Sequence, residues 1–256
     1  MGVKLAIFCF LLYILGGMGA SMGYHRLLCH QSAQVPKWFL YLLTLIGLPL
    51  GTPVQWVGNH RAHHNAADTI DDPHSPIISG FWYAHCGWYI GQTNPFICLL
   101  YALGGPFRMF FDSFWRPRTN QQYVNLAKDI DADPFLHAIS RPIIYTSLLL
   151  IYLGSLLFIT YYWFQIPGLI ALWICLVIIY NLGDSVDSFG HLFGEKKGKS
   201  GARNNRILGL LSFGDGWHAN HHLNPKKAKH GQAKQFDLTY QFLRILKGLG
   251  IVKKIY

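Results

Sequence analysis

Glutamate is nearly absent from this chain. Glu195 is the only one in 256 residues, against eleven aspartates and thirteen histidines. That excludes the helical di-metal bundles built on several glutamates and Glu-x-x-His pairs. Charge of either sign is also scarce: 13% of residues are charged and 51% hydrophobic, a balance that points to a membrane protein. The five cysteines (Cys9, Cys29, Cys86, Cys98, Cys175) form no C-x-x-C pair and no zinc spacing, so they read as reduced and structural. There is no solenoid repeat and no low-complexity tract. The net charge of +10 could suggest a nucleic acid, but the cations gather in KKGKSGAR (196–203) and KKAKHGQAK (226–234). A membrane-facing, positive-inside role without a nucleic-acid partner fits that clustering better.

What the chain has is apolar runs of membrane length. Residues 5–22, LAIFCFLLYILGGMGASM, predict a spanning helix (about 3–22). A cleaved signal peptide with a small-residue site near Ala20 is the competing reading, but cleavage there would leave a histidine pair at the new terminus with nothing to hold it. Residues 38–57 are long enough to cross yet are broken by Gly47, Pro49, Gly51 and Pro53, which predicts a re-entrant hairpin. Two further runs, 142–164 and 167–183, flank a short Gln-Ile-Pro turn and predict a transmembrane hairpin. The apolar but Gly-Gly-Pro-split stretch 96–111 reads as an interfacial helix. The expectation is an all-α integral membrane protein, a single domain over 1–256. It has three to four membrane-embedded segments and a helical cap (58–140 and 184–256), closed by a helix near 236–248. With this topology the histidine-rich segments emerge on one side, shared with the lysine-rich tail, which makes that side cytoplasmic and the protein multi-pass.

Those histidine-rich segments carry the chemistry. In HRAHH (60–64) and HANHH (218–222), residues three and four apart share a helix face, so His60, His63 and His64 can converge, as can His218, His221 and His222. That is metal-ligand spacing. In HRLLCH, His25 and His30 are five apart and project differently from a regular helix, as though serving two metals. His191, after the last span, is open between ligand and hydrogen-bonded residue. Nine imidazoles exceed what one tetrahedral metal uses and suit two, and ligand type alone does not choose among zinc, copper, iron and nickel. His74, His85, His137 and His230 read as surface or hydrogen-bonded residues. Neighbouring aromatic stretches suit an interfacial belt or an apolar channel, with Trp56, Trp82 and Trp217 the candidates for substrate contact. A metal pair beside an apolar channel implies a lipid-like substrate, and redox-active iron with oxygen is the usual means of attacking an unactivated C–H bond.

HRLLCH, HRAHH and GWHANHH, with DDPHSPIISGFWYAHCGWYIG after the second box and DSFGHLFGE after the last span, resemble the membrane fatty-acyl desaturases of the acyl-CoA Δ9 type. The resemblance runs in order over nearly the whole chain. It implies two iron ions and O2, which remove two hydrogens from adjacent methylenes with two externally supplied electrons. It implies His25, His60, His64 and His221 at one iron, and His30, His63, His191, His218 and His222 at the other. A membrane of the bacterial inner-membrane or endoplasmic-reticulum kind is implied as well.

Three departures bear on function. Where the family usually has an Asn that approaches one iron through water, this sequence has Asp187, a candidate ligand in its own right. The family's additional N-terminal spanning helix is not seen ahead of the first box. Gly58, Ile78 and Ser79 stand where acyl-CoA members place cations against the CoA phosphates, so the acyl carrier is open among CoA, acyl carrier protein and membrane lipid. No H-P-G-G haem-binding segment occurs, so electrons are expected from a separate donor of cytochrome b5 or ferredoxin type with its reductase. A related hydroxylase, monooxygenase or acetylenase is the second reading, and a non-catalytic metal-binding or metal-transporting membrane protein the third.

Overall fold

The computed structural model describes residues 2–256 and is mostly helical, with only two small two-stranded sheets among the described residues. Two helices are long and apolar enough to cross a membrane. The first, α1, spans Gly2–Cys29; it is α-helical to Gly17 and a π-helix over Met18–Cys29. The second, α5, spans Pro142–Asp187 but is interrupted at Gln165, whose φ of 55° and ψ of −150° are not helical. The chain doubles back there. A Cβ on Gly168 would lie 3.1 Å from the carbonyl of Thr160, eight residues earlier, whereas eight residues of straight helix span about 12 Å. Both limbs feed one buried cluster, Leu149, Leu153 and Leu156 from one and Leu172, Leu176 and Tyr180 from the other. The expected hairpin at Gln-Ile-Pro is therefore present.

Glycine governs how α1 meets its neighbours. Gly16 lets α1 close on Ile179 of α5, and Gly19 lets the backbone at Gly47 approach within what would be 2.6 Å of a Cβ. That second contact seats α2 (Lys37–Ile46) against the π-helix. Ten residues rise about 15 Å, half a bilayer core, so α2 is too short to cross one. Trp38, Leu42 and Leu45 face outward from it. The apolar helix is shorter than the 38–57 expected: Thr52 accepts from the Gln55 amide at 3.1 Å and Pro53 opens the next helix, α3 (Pro53–Ala66). The 96–111 stretch is divided at the Gly-Gly-Pro that splits it in sequence. One short helix (Pro95–Ala102) ends at Leu103, and Gly105, at φ 50°, starts another, α4 (Pro106–Trp115), packed along α5.

Beyond Asp187 the chain forms the polar half of the molecule. It comprises α6 (Arg206–Leu211), α7 (His218–Leu223) and α8 (Leu238–Gly248), with Asp237 capping α8 as expected for a C-terminal helix. Strand β1 (Ala33–Gln34) pairs with β4 (Lys254–Ile255), and β2 (Glu195–Lys196) with β3 (Arg203–Asn204). Fully buried Arg26 ties this half to α1: it donates to Asp237 at 2.8 Å, to Asp215 at 3.2 Å and to the Ala228 carbonyl at 3.0 Å. Arg26 is thus a fixed point beside His25.

Candidate metal centre

Nine histidines come from four elements: the end of α1, α3, the short turn after α5 and α7. Their Nε2 atoms form two knots. In the first, His25 lies 3.0 Å from His221, His221 2.9 Å from His64, His64 3.1 Å from His60, and His60 3.1 Å from His30. In the second, His63 lies 3.3 Å from His222, His222 3.1 Å from His218, and His218 3.0 Å from His191. Within each group the ligand atoms all lie within 4.8 Å of one another. Two nitrogens each about 2.1 Å from one cation are roughly 3.0 to 3.4 Å apart. The spacing therefore suits a metal, whereas lone pairs of neutral imidazoles turned on one another without a cation would repel.

The grouping differs from expectation at His30, which joins His25 rather than His63. The cause is the π-helix. Its i→i+5 bonds, including the His30 amide to the His25 carbonyl at 3.2 Å, bring residues five apart onto one face. The two rings stand 5.0 Å apart.

With Nε2 turned inward, the outer nitrogens meet carboxylates. His25 Nδ1 lies 3.2 Å from Asp215, His63 Nδ1 2.9 Å from Asp72, and His191 Nδ1 2.8 Å from Asp68. Each aspartate is itself fixed. Asp72 accepts from the Asp68 and His74 amides, Asp68 from Ser75 and the Gly201 amide, and Asp215 from Arg26. Such carboxylate–histidine pairs set the tautomer that leaves Nε2 free to ligate. Burial, followed by the neighbouring imidazoles, holds His60, His63, His218, His221 and His222 well below the usual histidine range and His64 down to about 3. They are neutral, as metal ligands must be. Burial alone would raise Asp215, but His25, His230 and Arg26 outweigh it and hold the carboxyl well below its usual value.

The first knot, through His25 and His60, borders a cavity of about 160 Å³, lined along α1 from Leu12 to His25 and along α5 from Tyr152 to Asp187. Of the three candidate tryptophans only Trp56 lines it, stacked on His60 at 4.9 Å. Trp82 packs instead against Cys86 and Cys98, and Trp217 donates to the Phe236 carbonyl. Aromatic residues near a box look alike in sequence, and the backbone decides which face the cavity. Asp187 lines the cavity but belongs to neither group of converging atoms. His74 and His230 are buried rather than superficial: His74 stacks on His63 at 4.6 Å, and His230 lies 3.4 Å from Asp215. His85 bonds Ser188 and Asn181, and His137 remains an exposed partner of Asp131.

The fatty acid desaturase family model matches residues 4–243. The chain belongs to this family. It is 31% identical to the sn-1 stearoyl-lipid 9-desaturase of Anabaena variabilis, covering 99% of this chain and 83% of that protein. It is 35% identical to the sn-2 palmitoyl-lipid 9-desaturase of Nostoc sp. (strain 36), covering 98% and 81%. Against the acyl-CoA C20 Delta5-desaturase of Anemone leveillei it is 32% identical, covering 96% and 72%. This family member is an oxidoreductase, which sets aside the non-catalytic metal-carrier reading, and its apolar helices associate it with a membrane. Within it, the two histidine clusters are arranged as groups that could each hold a metal ion. Sequence reasoning missed the residues that support that site, Asp68, Asp72 and Asp215. The one signal for them was the excess of aspartate over glutamate.

Proposed function

We propose that the protein is a di-iron, oxygen-dependent desaturase that places a double bond in an acyl chain carried on a membrane lipid. The observation that carries this reading is the convergence of five and four imidazole nitrogens on two adjacent points beside an apolar cavity. When bound, two iron ions with O2 supply the oxidant for an unactivated C–H bond. The balance is a saturated –CH2–CH2– unit, O2, two electrons and two protons giving –CH=CH– and two waters. The electrons come from a separate donor of cytochrome b5 or ferredoxin type.

The nine histidines hold the metals, Asp68, Asp72 and Asp215 fix three of the rings, and Trp56 braces His60 against the cavity. Leu12, Leu156, Leu176 and Ile179 supply the apolar wall that accepts a hydrocarbon and keeps water out. Lipid is favoured as the carrier because the two lipid-desaturase relatives match nearly the whole chain and because uncharged Gly58, Ile78 and Ser79 offer nothing to CoA phosphates. The chain reads as one multi-pass domain. Its uncharged Gln165 turn faces out, and its lysine-rich cap and metal site face the cytoplasm.

The test is His63→Ala expressed in a host without its own desaturase. Product should vanish while the protein still inserts in the membrane, and an unchanged product level would overturn the catalytic reading. Asp187, a carboxylate facing the cavity where the family usually has Asn, favours one second reading, a hydroxylase or acetylenase with the same ligands. Mass spectrometry separates these: desaturation removes about 2 mass units and hydroxylation adds about 16.

A further inference from the structure

Phe213 has a backbone φ of 61°, a region glycine enters freely and a bulky residue only at a cost. Such strain persists where the surroundings over-determine it, commonly at functional sites. Here the surroundings include α1. The Phe213 ring, 2% exposed, sits in a notch made by Gly17, where a Cβ would come within 2.1 Å of the ring. One turn earlier on α1, Tyr13 packs against it at 5.1 Å, and the Tyr13 hydroxyl donates to the Leu211 carbonyl. Two residues after Phe213, Asp215 holds His25. Leu210 and Leu211, just before it, are exposed, and Leu211 lines the cavity with it.

The location matters. Gly17 precedes His25 by eight residues of π-helix, which rises less per residue than an α-helix, so the two lie less than about 12 Å apart along α1. The cavity continues five residues further along α1, to Leu12. Phe213 therefore lines the cavity part-way between the first histidine cluster and its Leu12 end. A hydrocarbon reaching past the metals on this side has to run alongside that ring.

We propose that Phe213 is a specificity-determining residue. Its ring sets the cavity width beside Gly17, and with it which acyl chains fit and which pair of methylenes stops at the metals. This rests on the acyl-chain reading above. A residue kept only for packing would affect stability and leave selection unchanged.

Two measurements test it. In a desaturase-free host supplied with saturated acyl chains of graded length, the wild type, Phe213→Ala and Phe213→Leu are compared by product chain length and double-bond position. Phe213→Ala should shift the preference between neighbouring chain lengths about tenfold, the discrimination one or two methylenes carry in an apolar pocket, or displace the double bond. Phe213→Leu should fall between and guards against a misfolded alanine variant. On purified protein, thermal stabilisation by saturated fatty acids of graded length should peak at longer chains in Phe213→Ala, and this readout needs no turnover. Unchanged length optima for stabilisation in both variants overturn the proposal, as does a wild-type product spectrum from both. A wild type that binds the chains but makes no unsaturated product contradicts the desaturase reading, and the stabilisation profile still decides the role of Phe213.

Discussion

At the residue scale, the metal centre depends on atoms one bond removed from the ligating nitrogens. Asp72 is completely enclosed and receives His63 Nδ1 together with two backbone amides. Asp72→Ala should lower metal affinity roughly 10–100-fold, as loss of such a partner does elsewhere, while leaving all nine histidines in place. Metal retained against a graded chelator measures this, and retention equal to wild type would show that His63 needs no orienting partner. The histidines themselves were legible because H-x-x-H-H spacing on a helix admits one geometry. Their aspartates were not, since Asp68, Asp72 and Asp215 lie in loops whose approach to His191, His63 and His25 depends on the tertiary fold. That Trp56 lines the cavity and Trp82 and Trp217 do not was not legible for the same reason: a tryptophan beside a box can face cavity or core, and only the packed backbone chooses.

At the element scale, the two long apolar helices and the breaks that shorten or turn their neighbours were readable because hydropathy and helix breakers encode them directly. Gln-Ile-Pro turns the chain, and Gly47 and Pro49 stop α2 short. The π-helix of α1 was not readable, because no residue type marks i→i+5 bonding over Met18–Cys29. It makes a sharp prediction. If His30 serves the same metal as His25, His25→Ala combined with His30→Ala should lose no more than one of the two metals, while His30→Ala combined with His63→Ala should lose both. Metal-to-protein ratios by elemental analysis distinguish these outcomes, and the reverse pattern would restore the straight-helix assignment. The seat of that helix can be tested too. A methyl at Gly47 would fall 2.7 Å from the Tyr24 ring and 2.8 Å from the Gly19 carbonyl. Gly47→Ala should therefore cost about 1–3 kcal/mol through overpacking, visible as a lower melting temperature in detergent, and no change there would mean that α2 yields easily.

At the scale of the whole molecule, the fold gathers neutral imidazoles in its interior and opposes their protonation. His64 is held down to about 3 by burial and then by surrounding histidines, and His60, His63, His218, His221 and His222 are lowered for the same reasons. An unfolded histidine titrates near 6.5. Between those limits the unfolded chain binds protons that the folded site refuses, so unfolding becomes more favourable as pH falls. The stability of the metal-free protein should thus be greatest above about pH 6.5 and decline steadily towards about pH 5. Bound metal adds stability at neutral pH because it binds the folded site alone, and it should steepen the decline as protons compete for the same nitrogens. Melting curves of metal-free and metal-loaded protein across that range measure both slopes, and His64→Ala should flatten the metal-free one. A melting temperature that holds level from about pH 7 to about pH 5 would mean that these imidazoles accept protons in the folded state as readily as in the unfolded chain. The clusters would then be too open to water to hold two metals beside a dry cavity.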